Sequence, residues 1–327
     1  MAASIVRRAV MYVPSSSKKM LSKALTLNVD TVAYDLEDSV SLAQKPTARQ
    51  NLLSHLSTPS PSNIRETCIR INSIDTGLAL TDLTTLLSNP STAQNIDAIM
   101  VPKVQSAADM TFVTDVLRHL APERHPTSPS PSNNTNQKPP IRLIALIESA
   151  LAIQNLPTIT SSTPYLSGLL FAAEDFALDL SLTRSPSLSE FLYARSAIVT
   201  AARAANLPST IDLVCTSYSG ATGLETLERE CENGKGMGFN GKQVIHPSQI
   251  PVVQRAFSPG EKEVEWAVRV VVGNERAEER GRGAWTLDGK MIDAPVVGKC
   301  RRVLERAQVC GVDVEGVRER WAGQEPE

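Results

Sequence analysis

Glu148 and Asp175 each follow a short apolar run, residues 141–147 and 169–173 respectively. In a parallel barrel all strands finish on the same face, so acids that close successive strands become neighbours around one pocket. Two such carboxylates suit a hard cation. Mg²⁺ commonly takes one or two protein carboxylates and leaves its other positions to water and substrate oxygens. Acids at strand ends also cap helices and pair with basic side chains, and residue type alone leaves both readings open.

Other polar groups sit at comparable places. Reading downstream ends in order gives Pro14, Asp35-Leu36-Glu37-Asp38, Arg70-Ile71-Asn72, Pro102-Lys103, Ile147-Glu148-Ser149, Ala173-Glu174-Asp175 and His246-Pro247. Arg70 offers a permanently charged planar fork that matches a carboxylate or a developing oxyanion, or serves as a structural ion-pair arginine at a barrel rim. Glu37 and Asp38 either face the pocket or cap the following turn. Lys103 is a phosphate contact or an ordinary rim charge. His246, followed by Pro247, reads as a structural hydrogen-bonding residue that closes the eighth strand.

The elements that would position these groups are eight apolar runs, at residues 9–13, 31–36, 67–71, 98–103, 141–147, 168–173, 211–216 and 241–245. Near-continuous apolar runs are expected of parallel strands buried on both faces. Segments with helical spacing lie between them, such as 18–27, 46–56, 107–120 and 188–205. An open doubly wound sheet is the competing arrangement; eight repeats without a glycine-rich fingerprint after the first strand favour closure into a (β/α)8 TIM barrel.

The barrel is expected over residues 1–257, followed by a C-terminal helical extension over 258–327. Two Ser/Pro/Asn-rich stretches, 57–63 and 121–140, read as surface loops, the second on the N-terminal side of the barrel, mobile and dispensable. In the extension a polar helix over 259–279 precedes a glycine-rich stretch, 281–295, and a further helix to about 309. The middle stretch carries Trp285, Leu287, Met291 and Ile292, a mixture that suits a segment docking over its own barrel mouth or a neighbour's.

Composition narrows the functional classes. The chain has 33 basic and 35 acidic residues for a net charge of -2, which lacks the basic footprint of a nucleic-acid or anionic-membrane binder. No apolar run approaches the roughly 18 residues needed to span a bilayer. The five cysteines, at 68, 215, 231, 300 and 310, include no pair at metal-ligand spacing and point to a reducing compartment. Residues 1–8 carry Arg7 and Arg8 and no acid, yet are too short for an ordinary cleavable presequence. A cytoplasmic protein is expected, with mitochondria as the alternative.

The ordered strand ends, with Tyr193-Ala194-Arg195-Ser196, the run from Gly238 through Lys242-Gln243 to His246-Pro247, and the run from Gly283 through Trp285 and Asp293 to Pro295, resemble the citrate lyase beta-subunit-like branch of the HpcH/HpaI aldolase superfamily. The similarity extends from about residue 8 to about residue 307. It implies a (β/α)8 barrel with a C-terminal extension, Mg²⁺ dependence, and making or breaking a carbon–carbon bond in a 3-hydroxyacyl-CoA. Stand-alone citramalyl-CoA and malyl-CoA lyases, which are homotrimers or larger, are closest in pattern.

Carried over residue by residue, the resemblance makes Glu148 and Asp175 the metal ligands and Glu37 with Asp38 the acids that hold metal-bound waters. Arg70 faces the substrate carbonyl, and Asp293 is an acid delivered into an adjacent subunit's site. Arg8 would approach substrate or CoA, where the plain reading leaves it solvated ahead of the first strand. Tyr193-Ala194-Arg195-Ser196 lies in an expected helix and reads as packing plus an intrahelical or intersubunit ion pair.

The chemistry explains these residue types. Cleavage to acetyl-CoA and a 2-oxo acid takes a proton from a hydroxyl while electrons flow into the thioester as an enolate, so negative charge develops at both ends. Asp293 on a closing segment would shuttle a proton to or from the acetyl carbon. Three alternatives stay open: a CoA-independent 2-keto-4-hydroxy acid aldolase, a citrate lyase beta-type subunit that needs an acyl-carrier partner, and a malate-synthase-like thioesterase. Two stretches depart from the pattern. Val13-Pro14-Ser15-Ser16-Ser17 lacks the glycine and asparagine that relatives place after the proline, at a position suited to the acyl or CoA pocket, and Thr216-Ser217-Tyr218-Ser219-Gly220 lacks an acid.

Overall fold

Eight apolar runs become eight parallel strands: β1 (Ala9–Pro14), β2 (Val29–Asp35), β3 (Ile64–Arg70), β4 (Ala98–Val101), β5 (Arg142–Ile147), β6 (Leu166–Phe171), β7 (Ser209–Asp212) and β8 (Gly241–Val244). Each pairs with the next, and β8 pairs back onto β1, closing a barrel. The computed structural model describes residues 5–125 and 138–327. The chain divides into two compact units, Arg7–Gln254 and Arg255–Glu327, the latter with residues 5 and 6.

In the first unit every residue of β2, β4, β6, β7 and β8 is buried, as strands covered on both faces require. Val10, Ala33, Cys68, Met100, Ile144 and Leu170 are among the residues that fill the barrel interior. Its N-terminal end is closed by charge instead of by apolar groups. Arg7, 1 % exposed, donates to Glu66 through Nε and Nη2, at 2.7 Å each, and to Ser167 Oγ at 3.0 Å. Thr31 Oγ1 donates to the same glutamate.

The helices begin where the sequence signals them. Helix Ala107–Leu120 opens at Ser106, with Asp109 Oδ2 accepting from the Gln105 and Ser106 backbone at 2.8 and 2.9 Å. The expected helix over 188–205 is shorter, Leu192–Ala204, and Arg195 within it is buried and grips Asp212 through Nε and Nη2 at 3.0 and 2.7 Å. Its ion pair therefore joins helix to strand β7 inside one chain, neither intrahelical nor intersubunit.

The loop at 57–63 is present as expected. Most of the loop expected over 121–140 lies outside the described residues, but its flank is not a solvated surface. Arg124 is 2 % exposed and donates to the carbonyls of Ala93, Ile96 and Pro139.

The second unit consists of helices Glu261–Glu279, Ala294–Val309 and Val314–Arg320 with a hairpin, β9 (Trp285–Leu287) and β10 (Lys290–Ile292). The hairpin and the last helix were not anticipated. Asp288 and Gly289 both take positive φ, 51° and 73°, the requirement of a two-residue turn whose twist matches the strands. Trp285, Leu287 and Ile292 do not wait for another surface: they form the core of this unit with Val270, Val271 and Val297. Only Met291 is left exposed. Gly273 makes the packing possible, since a Cβ there would stand 2.4 Å from the Trp285 ring.

Among the described residues no helix is long and apolar enough to cross a membrane. All five cysteines are free thiols, four of them buried.

Candidate functional site

At the C-terminal end of the barrel, strand register places Asp35, the last residue of β2, opposite Arg70, the last of β3. Asp35 accepts from Arg70 Nε and Nη2 at 2.7 Å each. The third guanidinium nitrogen, Nη1, lies 3.0 Å from Glu37 Oε2 and 3.3 Å from Asp38 Oδ2. One face of the guanidinium rests on the Tyr12 ring, 4.7 Å from its centroid. Arg70 is thus fixed in its plane by a carboxylate and out of plane by an aromatic floor.

The acidic loop after β2 is held from below. Lys45, buried in helix Lys45–His55, donates Nζ to the Leu36 and Glu37 carbonyls at 2.7 Å each. Glu37 is thereby brought into the barrel mouth while Asp38 stays exposed. Lys103 adopts a left-handed backbone, φ 51°, and its Nζ reaches both Glu37 Oε1 at 3.5 Å and Asp175 Oδ1 at 3.3 Å.

Ser149, not Glu148, caps the helix Ala150–Gln154, accepting from Ala152 N at 3.1 Å. That leaves the Glu148 carboxyl, 5 % exposed, to the barrel mouth, where it accepts from the Lys103 backbone. Asp175 is one turn further along than expected. Strand β6 ends at Phe171, and Asp175 sits in the first turn of helix Ala173–Leu180, where the helix dipole also favours an acid.

These acids are poorly compensated. Burial, then Glu37 and Asp175 nearby, push the Glu148 carboxyl up to about 8. Burial also raises Glu37, against the pull of Arg70, to about 7. Glu37 Oε2 has no hydrogen-bond partner despite the nearby Arg70. Buried carboxylates short of positive charge fit a divalent cation, which would favour their ionised forms. Among the described residues no three His, Cys, Asp or Glu side chains form a ready cage. Glu148 and Asp175 with water and substrate oxygens is the donor set that Mg²⁺ accepts.

Where β1, the helix Lys18–Ala24 and the segment after β8 meet lies a cavity of 410 Å³, whose lining includes Tyr12, Val13, Pro14, Met20, Ile245 and His246. Its walls are mostly apolar, with Lys23 and Ser39 at its edge. Tyr12 belongs to both cavity and Arg70 support. Of the Val13–Ser17 stretch, Val13 and Pro14 line the cavity, while Ser15 is buried and Ser17 caps the helix Lys18–Ala24.

Two expectations are corrected. Arg8 does not join the cluster: it precedes β1 at the opposite end of the barrel, buried against Asp30 with Nε and Nη2 at 2.9 and 2.8 Å from the carboxylate. It is neither solvated nor near the acids. His246 does not close β8. It is exposed, stacks on Tyr218 with ring centroids 5.3 Å apart, and lines the cavity; Gln249 ties the strand end, accepting from Ile245 N and donating to the Cys215 carbonyl. Asp293, in the second unit, is the N-cap of helix Ala294–Val309, accepting from Val296 N at 3.1 Å.

Sequence reading placed Asp35 and Gln243 within its ordered motifs without giving either a role, and it missed Lys45 and Tyr12. Asp35 shares strand parity with Glu37, and Gln243 is a polar residue inside a central strand, which must find partners. Those were usable signals. Lys45 and Tyr12 gave none beyond their positions.

Comparison with known proteins supplies relatives for this barrel. Residues 8–247 match the HpcH/HpaI aldolase/citrate lyase family, and residues 193–312 match the C-C bond lyase of the TIM-barrel fold. The chain is 35% identical over 303 residues to the citrate lyase subunit beta of Haemophilus influenzae, covering 93% of this chain and 97% of that one. It is 34% identical over 315 residues to the human mitochondrial citramalyl-CoA lyase, covering 93% and 86%. The crystal structure of Mycobacterium tuberculosis CitE in complex with magnesium, acetoacetate and coenzyme A aligns with a TM-score of 0.69 at 29% identity, covering 94% and 99%. On its barrel and its relatives together, the chain belongs to the HpcH/HpaI aldolase/citrate lyase family.

Proposed function

We propose that the protein is a Mg²⁺-dependent carbon–carbon lyase that cleaves a 3-hydroxyacyl-CoA of the citramalyl or malyl type to acetyl-CoA and a 2-oxo acid, or joins them in reverse. The observation that carries this reading is the group of buried, undercompensated acids beside a fixed arginine and an apolar cavity. Mg²⁺ held by Glu148 and Asp175 would supply a Lewis acid for the carboxylate and hydroxyl oxygens of the acid part.

The chain's own residues do the rest. Arg70 directs what remains of its fork toward substrate oxygens and stabilises negative charge as it develops. Glu37 and Asp38, both within 3.3 Å of Arg70, order water at the barrel mouth. Lys103 balances Glu37 and Asp175. The apolar cavity next to Tyr12 takes the thioester arm, with Lys23 at its edge for an anionic group. A free 2-keto-4-hydroxy acid would leave such a cavity unused, which favours the CoA reading over a CoA-independent aldolase.

Asp293 supplies the proton carrier from the second unit of an adjacent subunit in a homotrimer or larger assembly. As a helix N-cap its carboxylate is oriented by Val296 N.

Incubating the purified protein with citramalyl-CoA and malyl-CoA, with Mg²⁺ and with EDTA, tests the reading. Release of pyruvate or glyoxylate that EDTA abolishes is expected; its absence with both thioesters overturns the proposal. Activity that arises only after adding an acyl-carrier protein would assign the beta-subunit role instead.

A further inference from the structure

Gln243 is buried on β8, and its side chain spans three strands. Its Nε2 donates to the carbonyl of Phe171, the last residue of β6, at 2.8 Å, and to that of Asp212, the last of β7, at 3.2 Å. With both amide hydrogens engaged, Oε1 is left as the acceptor for the Tyr12 hydroxyl on β1, at 3.1 Å. The Tyr12 ring in turn carries the Arg70 guanidinium. Burial holds the Tyr12 phenol well above its ordinary value, so it stays a neutral donor.

The side chains thus form one path, from the end of β6, whose next turn bears Asp175, through Gln243 and Tyr12 to Arg70 on β3. Asp35 clamps one edge of the guanidinium, and Glu37 and Asp38 lie against Nη1, all at its rim. The Tyr12 ring adds support on the face. We propose that Tyr12 and Gln243 are positioning residues that hold Arg70 at a fixed height relative to the end of β6, from which the helix bearing Asp175 starts, so that the two ends of the acid part are registered before chemistry begins. Neither residue exchanges a proton. The inference rests on the lyase reading for its kinetic arm only.

A leucine at position 12 removes the aromatic face, a phenylalanine keeps it and removes the tether, and a methionine at 243 removes the tether from its far side. Loss of a cation–π support of about 1.4 kcal/mol corresponds to about tenfold. Tyr12→Leu is expected to lower kcat/KM about tenfold, Gln243→Met by a similar factor, and Tyr12→Phe by less, on the order of threefold. Melting temperatures are measured alongside, because a merely structural role would scale activity with the folded fraction and give Phe no advantage over Leu.

A second readout needs no turnover. Phenylglyoxal modification of Arg70, followed by mass spectrometry on the metal-free protein, is expected to run several-fold faster in Tyr12→Leu and Gln243→Met than in the wild type. If wild type proves inactive on both thioesters, the lyase reading fails while this arm still decides the inference. Unchanged modification rates, or losses of activity that follow melting temperature alone, overturn it.

Discussion

Asp35 and Arg70 meet through two parallel hydrogen bonds of 2.7 Å at the ends of adjacent strands, with the Asp35 carboxylate wholly buried. Burial would raise that carboxyl, but the guanidinium outweighs it and keeps the acid below its ordinary range. Asp35→Asn takes the bidentate counter-charge from a buried guanidinium and leaves only the Nη1 contacts with Glu37 and Asp38. Breaking such a pair costs about 3 kcal/mol or more, and the urea midpoint should drop accordingly. Turnover per folded molecule should fall as well, because Arg70 loses its orientation. A variant with wild-type kcat/KM would remove Arg70 from the proposed chemistry.

Glu148→Gln and Asp175→Asn should each abolish Mg²⁺-dependent thermal stabilisation. A ligand at 100 times its Kd stabilises the folded state by about 2.7 kcal/mol, an effect easily seen as a melting shift. Wild type should display the shift with Mg²⁺ and lose it with EDTA. Either variant that still displays it is not missing a ligand.

If Asp293 acts across a subunit boundary, Asp293→Asn and Glu148→Gln proteins should be inactive alone and partly active after mixing and reassembly. Each mixed assembly then contains some sites with both wild-type groups. No recovery, in a sample that light scattering shows to be mixed oligomers, argues that Asp293 has no role in trans.

Glu66 gives a pH prediction remote from the acids at the barrel mouth. Burial alone would raise it, but Arg7 outweighs burial and lowers it. A carboxyl lowered in the folded state contributes stability above its unfolded value, about 4.3, and that contribution is lost as pH falls through the folded value. Wild-type stability should therefore fall more steeply below about pH 4.3 than that of Glu66→Gln. Urea midpoints from pH 6 to pH 3 provide the comparison, and parallel curves would contradict it.

Gly273→Val should expel the Trp285 ring from its place on helix Glu261–Glu279, since even a Cβ would come within 2.4 Å of it. A red-shifted tryptophan emission and a cost of about 2 kcal/mol are expected. Unshifted emission would mean that the helix moves instead of the ring.

The barrel was legible because most of its strands are buried on both faces and read as short apolar runs at regular spacing, even though β3, β7 and β8 carry buried polar residues such as Glu66, Asp212 and Gln243; all eight were located, with errors of a few residues at their ends. Helix Ala107–Leu120 was read to the residue because Ser106 and Asp109 mark its start. The hairpin at Trp285–Leu287 and Lys290–Ile292 was not, since three-residue strands flanked by glycines have too little periodicity to register. At the barrel mouth the resemblance named Glu37, Arg70 and Glu148, which the structure brings together. It included Asp35 and Gln243 in its motifs but gave neither a role, because their partners lie on other strands and depend on register. Arg8 was misplaced although the first strand was located at its true start: a residue ahead of β1 joins the N-terminal end of the barrel, where Asp30 holds it.

The Arg7 ion pair with Glu66 has a consequence for traffic. Together with Ser167 and Thr31 it stoppers the barrel at the end opposite the acids, behind the side chains that already fill the interior. Reactants and products share one doorway.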